Sequence, residues 1–144
     1  MGTGLFLISR LVEFSAAHRL YDPSLSEDSN RALFGDCANP HGHGHNYTLE
    51  VTFRGPKDQA TGMVVHFARL KGLLQEIVGP LDHRNLNFDV AQLKDTLPTS
   101  ENIVSMLWDQ IASATKGEAY HLYRLRLSST ARNHVEYAGP EEEP

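Results

Sequence analysis

Residues 47–54, YTLEVTFR, alternate without interruption: Tyr47, Leu49, Val51 and Phe53 fall on one face, Thr48, Glu50, Thr52 and Arg54 on the other. Successive side chains of a strand point to opposite faces, so this stretch predicts a strand with one buried side. Upstream, Phe6, Ile8, Val12 and Phe14 share one parity and predict a second strand over residues 5–14. Downstream, Tyr123, Leu125 and Leu127 alternate with Arg124 and Arg126, and RNHVEY offers a short return strand with Val135 and Tyr137 on one side. Between these pairs the period changes. Phe67, Leu70, Leu73, Leu74 and Ile77 recur at helical spacing, and Gly79-Pro80 stops them. Pro98-Thr99-Ser100-Glu101 reads as a helix start, with hydroxyls able to cap and an acid where the dipole favours it. Ile103, Leu107 and Ile111 form its apolar stripe, and Lys116-Gly117 closes it. Residues 21–36 are polar and turn-rich, a long loop with a short helix near SNRALF. The order strand, strand, helix, helix, strand, strand predicts an α+β fold: a four-stranded, mainly antiparallel sheet with two helices packed on one face. Such a sheet leaves open edges, and joining edges between subunits is one way to protect them.

The chain has 144 residues, enough for one domain, which we place at residues 1–139 with a frayed acidic tail at 140–144. It is 40% hydrophobic and 22% charged, with a formal charge of −5, the balance of an ordinary globular protein. A net acidic chain lacks the basic face that non-specific nucleic-acid binding requires. A single cysteine excludes an internal disulfide framework. The apolar N-terminus carries Arg10 and Glu13 and reads as a strand rather than a signal peptide. No run approaches the roughly 18 apolar residues of a membrane helix, so a cytoplasmic protein is expected.

The clean strand is entered through CANPHGHGHN, residues 37–46, which holds the one cysteine and three histidines at alternate positions. Side chains two apart on a strand share a face, with Cα atoms roughly 6.5–7 Å apart. Imidazoles at that spacing can converge on one ion at about 2.0–2.1 Å from each nitrogen. His41, His43 and His45 all qualify by parity, and glycines at 42 and 44 clear the positions between them. A third ligand can come from His18, which shares the parity of Val12 and Phe14 at the end of the first strand. Three nitrogen ligands with one open position is the pattern of a catalytic zinc site. The residues alone also allow a polar run at a strand entrance, a cysteine that is merely a small hydrophobe, and an Asp82-His83 pair in a solvated loop.

FSAAHRL, LFGDCANPHGHGHNY, TGMVVHF, LDHRNLN and PTSEN follow one another in an order and at spacings that resemble the 6-pyruvoyl-tetrahydropterin synthase family, over Phe14 to Tyr137. The related 6-carboxytetrahydropterin synthases of queuosine biosynthesis share the scaffold but typically place three residues, not five, between the cysteine and the first ligand histidine. Both Cys37-x3-His41 and Cys37-x5-His43 are present. Asn46-Tyr47 after His45, and the long loop before Cys37, resemble the pyruvoyl group. The resemblance implies a T-fold subunit whose sheets join into a barrel in a homohexamer of two trimeric rings, with active sites between subunits. It implies Zn2+ on His18, His43 and His45, Cys37 as thiolate base, and Asp82 and His83 as its proton-relaying partners. It further implies triphosphate elimination from 7,8-dihydroneopterin triphosphate in tetrahydrobiopterin biosynthesis, with Mg2+ often associated with the activity. Thr99, Ser100 and Glu101 fall in the family's pterin pocket. Ser129 stands where the family carries a glutamate that anchors the pterin ring. That departure leaves open a carboxytetrahydropterin activity or a divergent pterin-binding relative.

Overall fold

The computed structural model describes residues 4–141. Two strands of equal length dominate it: β1, Leu5–His18, and β2, His43–Pro56, antiparallel along their whole extent. The helix α1, Glu27–Phe34, lies in the connection between them, followed by one turn of 3-10 helix at Gly35–Ala38. The helix α2, Phe67–Val78, leads through a 3-10 turn to the two-residue strand β3, Arg84–Asn85. The helix α3, Ser100–Ala114, is followed by β4, His121–Ser128, and β5, His134–Tyr137.

The sheet order is β3-β1-β2-β4-β5, so the sheet has five strands rather than the expected four. The extra strand is β3, which pairs parallel to β1 through Ala16 and Ala17 only. Two residues are too few to alternate, so no periodicity announces them. The remaining pairings are antiparallel, as expected. Both long strands extend past the predicted bounds into the histidine-bearing stretches, because the β1–β2 ladder runs on to a His18–His43 pair. The expected tail reaches residues 142–144, outside the described part of the chain.

Register places the apolar set on one face. Phe14 opposes Tyr47, Val12 opposes Leu49, and Leu49 and Val51 oppose Leu127 and Leu125. That face packs on Leu70, Leu74 and Val78 of α2 and on Ile103, Val104, Leu107 and Ile111 of α3, all buried. Each such side chain contributes on the order of 1.5–3 kcal/mol. Each helix has a side-chain cap: Ser26, His66 and Thr99 accept from Ser29, Ala68 and Asn102 N–H groups respectively. Val78 is the last residue of α2, and Pro80, which has no N–H, falls in the 3-10 turn beyond it. β3 covers β1 only at Ala16 and Ala17, so among the described residues the rest of that edge is open, with Leu5, Leu7 and Leu11 exposed. No helix among the described residues is long and apolar enough to cross a membrane.

Candidate metal centre and active site

The β1–β2 register builds the centre. Ala16 opposes His45 and His18 opposes His43, so three imidazoles meet at one end of the helix-covered face. Their ligating nitrogens all lie within 4.8 Å of one another, and His18 Nε2 stands 3.1 Å from His43 Nε2. Two nitrogens each about 2.0–2.1 Å from a tetrahedral ion lie roughly 3.3 Å apart, so the spacing fits a shared ion. The rings cross edge to face, with centroids 4.6, 5.2 and 4.8 Å apart for the three pairs. His41 is exposed and lies outside the cluster.

The close approach depends on Gly42. Its φ is +71°, and a Cβ there would lie 2.7 Å from the His18 carbonyl oxygen. A side chain at 42 would force apart the strand ends that carry His18 and His43.

His18 is buried, and its Nδ1–H donates to the Pro98 carbonyl at 2.8 Å, leaving Nε2 to face the cluster. Burial lowers the His18 pKa, the Pro98 bond partly opposes that, and His43 and His45 add to the lowering. Burial and His43 likewise lower His45. Depressed values keep these rings neutral, the state in which they ligate a metal. Beneath them Tyr47 stacks on Phe14, with centroids 4.8 Å apart. Its hydroxyl is buried and finds no hydrogen-bond partner among the described residues. Burial, reinforced by a charge on nearby Cys37, pushes its pKa well above the ordinary phenol value.

Cys37 is half-buried in the 3-10 turn, a free thiol whose carbonyl accepts from Leu20 N–H at 2.8 Å. Arg19 donates through Nε to the next carbonyl, Ala38, at 2.9 Å. The segment after His18 therefore holds the turn that carries Cys37. Asn87 locks that segment in turn: Arg19 N–H donates to its Oδ1 at 2.7 Å and its Nδ2 donates to Arg19 O at 2.8 Å. This amide substitutes for a strand neighbour just beyond β3. Residue type alone does not reveal these roles of Asn87, Gly42 and Pro98, which rest on contacts distant in the chain or on backbone atoms.

Asp82 and His83 are brought to each other, with His83 Nδ1 and Asp82 Oδ2 3.0 Å apart. Ser15 N–H donates to Asp82 Oδ1 at 2.8 Å, and His83 N–H donates to Ser15 O at 2.6 Å. The Ser15 bond, with help from His83, holds the Asp82 carboxyl below the usual range despite partial burial. His83 has φ +60°, the one described non-glycine residue in the left-handed region. Among the described residues no hydrogen bond joins the pair to Cys37 or to the three histidines. His83 and His45 do line one open depression of about 550 Å³.

Thr99 is committed as the α3 cap, its Oγ1 accepting from Asn102 N–H at 3.2 Å. Ser100 is half-buried and Glu101 is exposed in the first helical turn. Ser129 is half-buried, and its N–H donates to Asn133 O at 3.1 Å. No hydrogen bond among the described residues links Ser129 to Glu101.

The family model described as 6-pyruvoyl tetrahydropterin synthase matches residues 7–140. The chain is 45% identical to a 6-pyruvoyl tetrahydrobiopterin synthase of Pongo abelii and 44% identical to that of Homo sapiens. Each match covers 92% of this chain and 90% of the relative. A solved 6-pyruvoyl tetrahydropterin synthase from Caenorhabditis elegans superposes with a TM-score of 0.90 at 37% identity, over 97% of this chain and all of that one. With its sequence matched nearly end to end and its fold superposed over the same span, the chain belongs to the 6-pyruvoyl tetrahydropterin synthase family.

Proposed function

We propose that the protein is a zinc-dependent carbon–oxygen lyase that converts 7,8-dihydroneopterin triphosphate to 6-pyruvoyl-tetrahydropterin with loss of triphosphate. The observation that carries the proposal is the His18, His43 and His45 cluster in a chain whose named relatives are synthases of this kind. Three imidazole nitrogens at this spacing suit Zn2+, the ion we assign, with Mg2+ as an accessory to the activity. Zinc bound there supplies Lewis acidity that polarises substrate oxygens and makes the adjacent C–H more acidic.

The remaining chemistry belongs to side chains. Cys37 takes the proton as thiolate, held in place through the Leu20 and Arg19 contacts to its turn. Asp82 orients His83, and His83 moves the proton onward. The pair is exposed beside the open edge of β1, which suits a site shared between subunits. That edge, with its exposed leucines, supports a homohexamer of two rings joined through their sheets. The pterin ring binds near the start of α3. Thr99 shapes that terminus as its cap, Ser100 lines it, and Glu101 offers its carboxylate to the amino edge of the ring. Ser129 cannot supply the two-oxygen acceptor, so Glu101 takes that task. We place the protein in the cytoplasm, in tetrahydrobiopterin biosynthesis.

The test is direct. Zinc-loaded protein is given 7,8-dihydroneopterin triphosphate, and the products are separated and identified by mass. The proposal expects 6-pyruvoyl-tetrahydropterin and one triphosphate per turnover, with Cys37→Ala folded, zinc-bound and slower by at least ~10²-fold. A 6-carboxytetrahydropterin product, or binding without turnover, would reject it.

A further inference from the structure

The PTSEN stretch ends in Asn102, a residue for which the mechanism above has no use. Its contacts converge on the metal centre from behind. His18 is aimed by one bond, from Nδ1–H to the Pro98 carbonyl at 2.8 Å. The tautomer and tilt of that ring therefore depend on where the carbonyl sits. Pro98 is buried and has no N–H with which to fix itself. Its neighbours are fixed instead. Thr99 N–H donates to Leu97 O at 2.8 Å, closing a tight turn about Pro98. Asn102 then holds both flanks of that turn. Its Nδ2 donates to Leu97 O at 2.8 Å, and its backbone N–H donates to Thr99 Oγ1 at 3.2 Å. Behind it α3 is anchored through buried Ile103, Val104, Leu107 and Ile111.

We propose that Asn102 is a positioning residue for the metal centre: its side-chain amide latches the Leu97–Thr99 turn to α3, so that the Pro98 carbonyl holds His18 with Nε2 toward the ion. The proposal rests on the metal reading above. The amide matters because Leu97 O needs a second donor to keep the turn closed. A carboxylate of the same shape has none to give and would repel the carbonyl.

Asn102→Asp is accordingly the decisive variant. It preserves size, and its charge in the first turn of α3 favours the helix. Zinc affinity is measured by competition with a chromogenic chelator on parent, Asn102→Asp and Asn102→Ala. Ile111→Val serves as a control that loosens α3 elsewhere. Folding is checked first by circular dichroism. The expected result is a zinc dissociation constant raised about 10-fold or more in both Asn102 variants, within the range for loss of an outer hydrogen bond to a ligand. Ile111→Val should match the parent. The d–d absorption of Co2+-substituted Asn102→Asp should also shift, reporting an altered ligand field. Zinc affinity within twofold of the parent, or an equal loss in Ile111→Val, overturns the proposal. Failure of both Asn102 variants to fold overturns it too, since Asn102 would then be a determinant of the fold and not of the ion's site. A parent that binds no zinc rejects the metal reading itself, a separate outcome.

Discussion

Tyr47 shows how one side chain can work against the fold that surrounds it. Its ring contributes to the core through Phe14, yet its buried hydroxyl has no partner among the described residues. An unmet buried hydroxyl costs about 1–3 kcal/mol. Tyr47→Phe is therefore expected to raise the unfolding free energy of the metal-free protein by about 1 kcal/mol in urea titration. An unchanged or lowered midpoint would mean that the hydroxyl is satisfied in solution. The histidines set a second expectation. Burial lowers the folded-state pKa of His18 and, with His43, that of His45. As pH falls through about 6.5 the unfolded chain takes up protons that the folded one refuses. The unfolded state then binds more protons, so stability is full above that pH and falls below it. Metal-free protein should melt at progressively lower temperature from pH 7 to pH 5, and a flat profile would contradict this. At this scale the sequence was partly legible. The alternation of His43 and His45 and the parity of His18 were visible in the chain, whereas Pro98 acts through a backbone carbonyl that no residue type reveals.

The elements carry their own signals, and their legibility follows from length. The strand at β2 and both long helices were readable because three or more apolar positions repeat in each. β3 was not, since a two-residue parallel pairing depends on where Ser15 and Ala17 carbonyls wait to accept His83 and Leu86 N–H groups. The start of α2 was equally hidden. His66 caps it through Nδ1, accepting from Ala68 N–H at 2.9 Å, and no acid occupies the first turn. Asp is a stronger cap than an imidazole acceptor and also suits the positive end of the helix. His66→Asp should raise stability by roughly 0.5–1 kcal/mol, read as a higher urea midpoint at unchanged slope. A lower midpoint would show that His66 serves something other than the helix.

For the whole molecule, the open flank of β1 is the feature that a single chain leaves unfinished. Leu5, Leu7 and Leu11 are each more than half exposed along it. Unpaired backbone and apolar side chains together invite another strand. Sedimentation at micromolar concentration is expected to show an oligomer, and Leu11→Lys should shift it toward smaller species. A stable, fully active monomer would contradict the shared-site arrangement. This level was legible only as a general need to cover sheet edges, because no sequence pattern specifies which edge meets which. The His18–His43 pairing, finally, has a kinetic meaning. It is the last rung of the β1–β2 ladder before the chain departs through residues 19–42. An ion held by both histidines would close that whole excursion at its neck, as a removable clasp closes a necklace. Chelation would free the neck, so the two strands part from that end first and the native lifetime shortens even where the rest of the sheet is untouched.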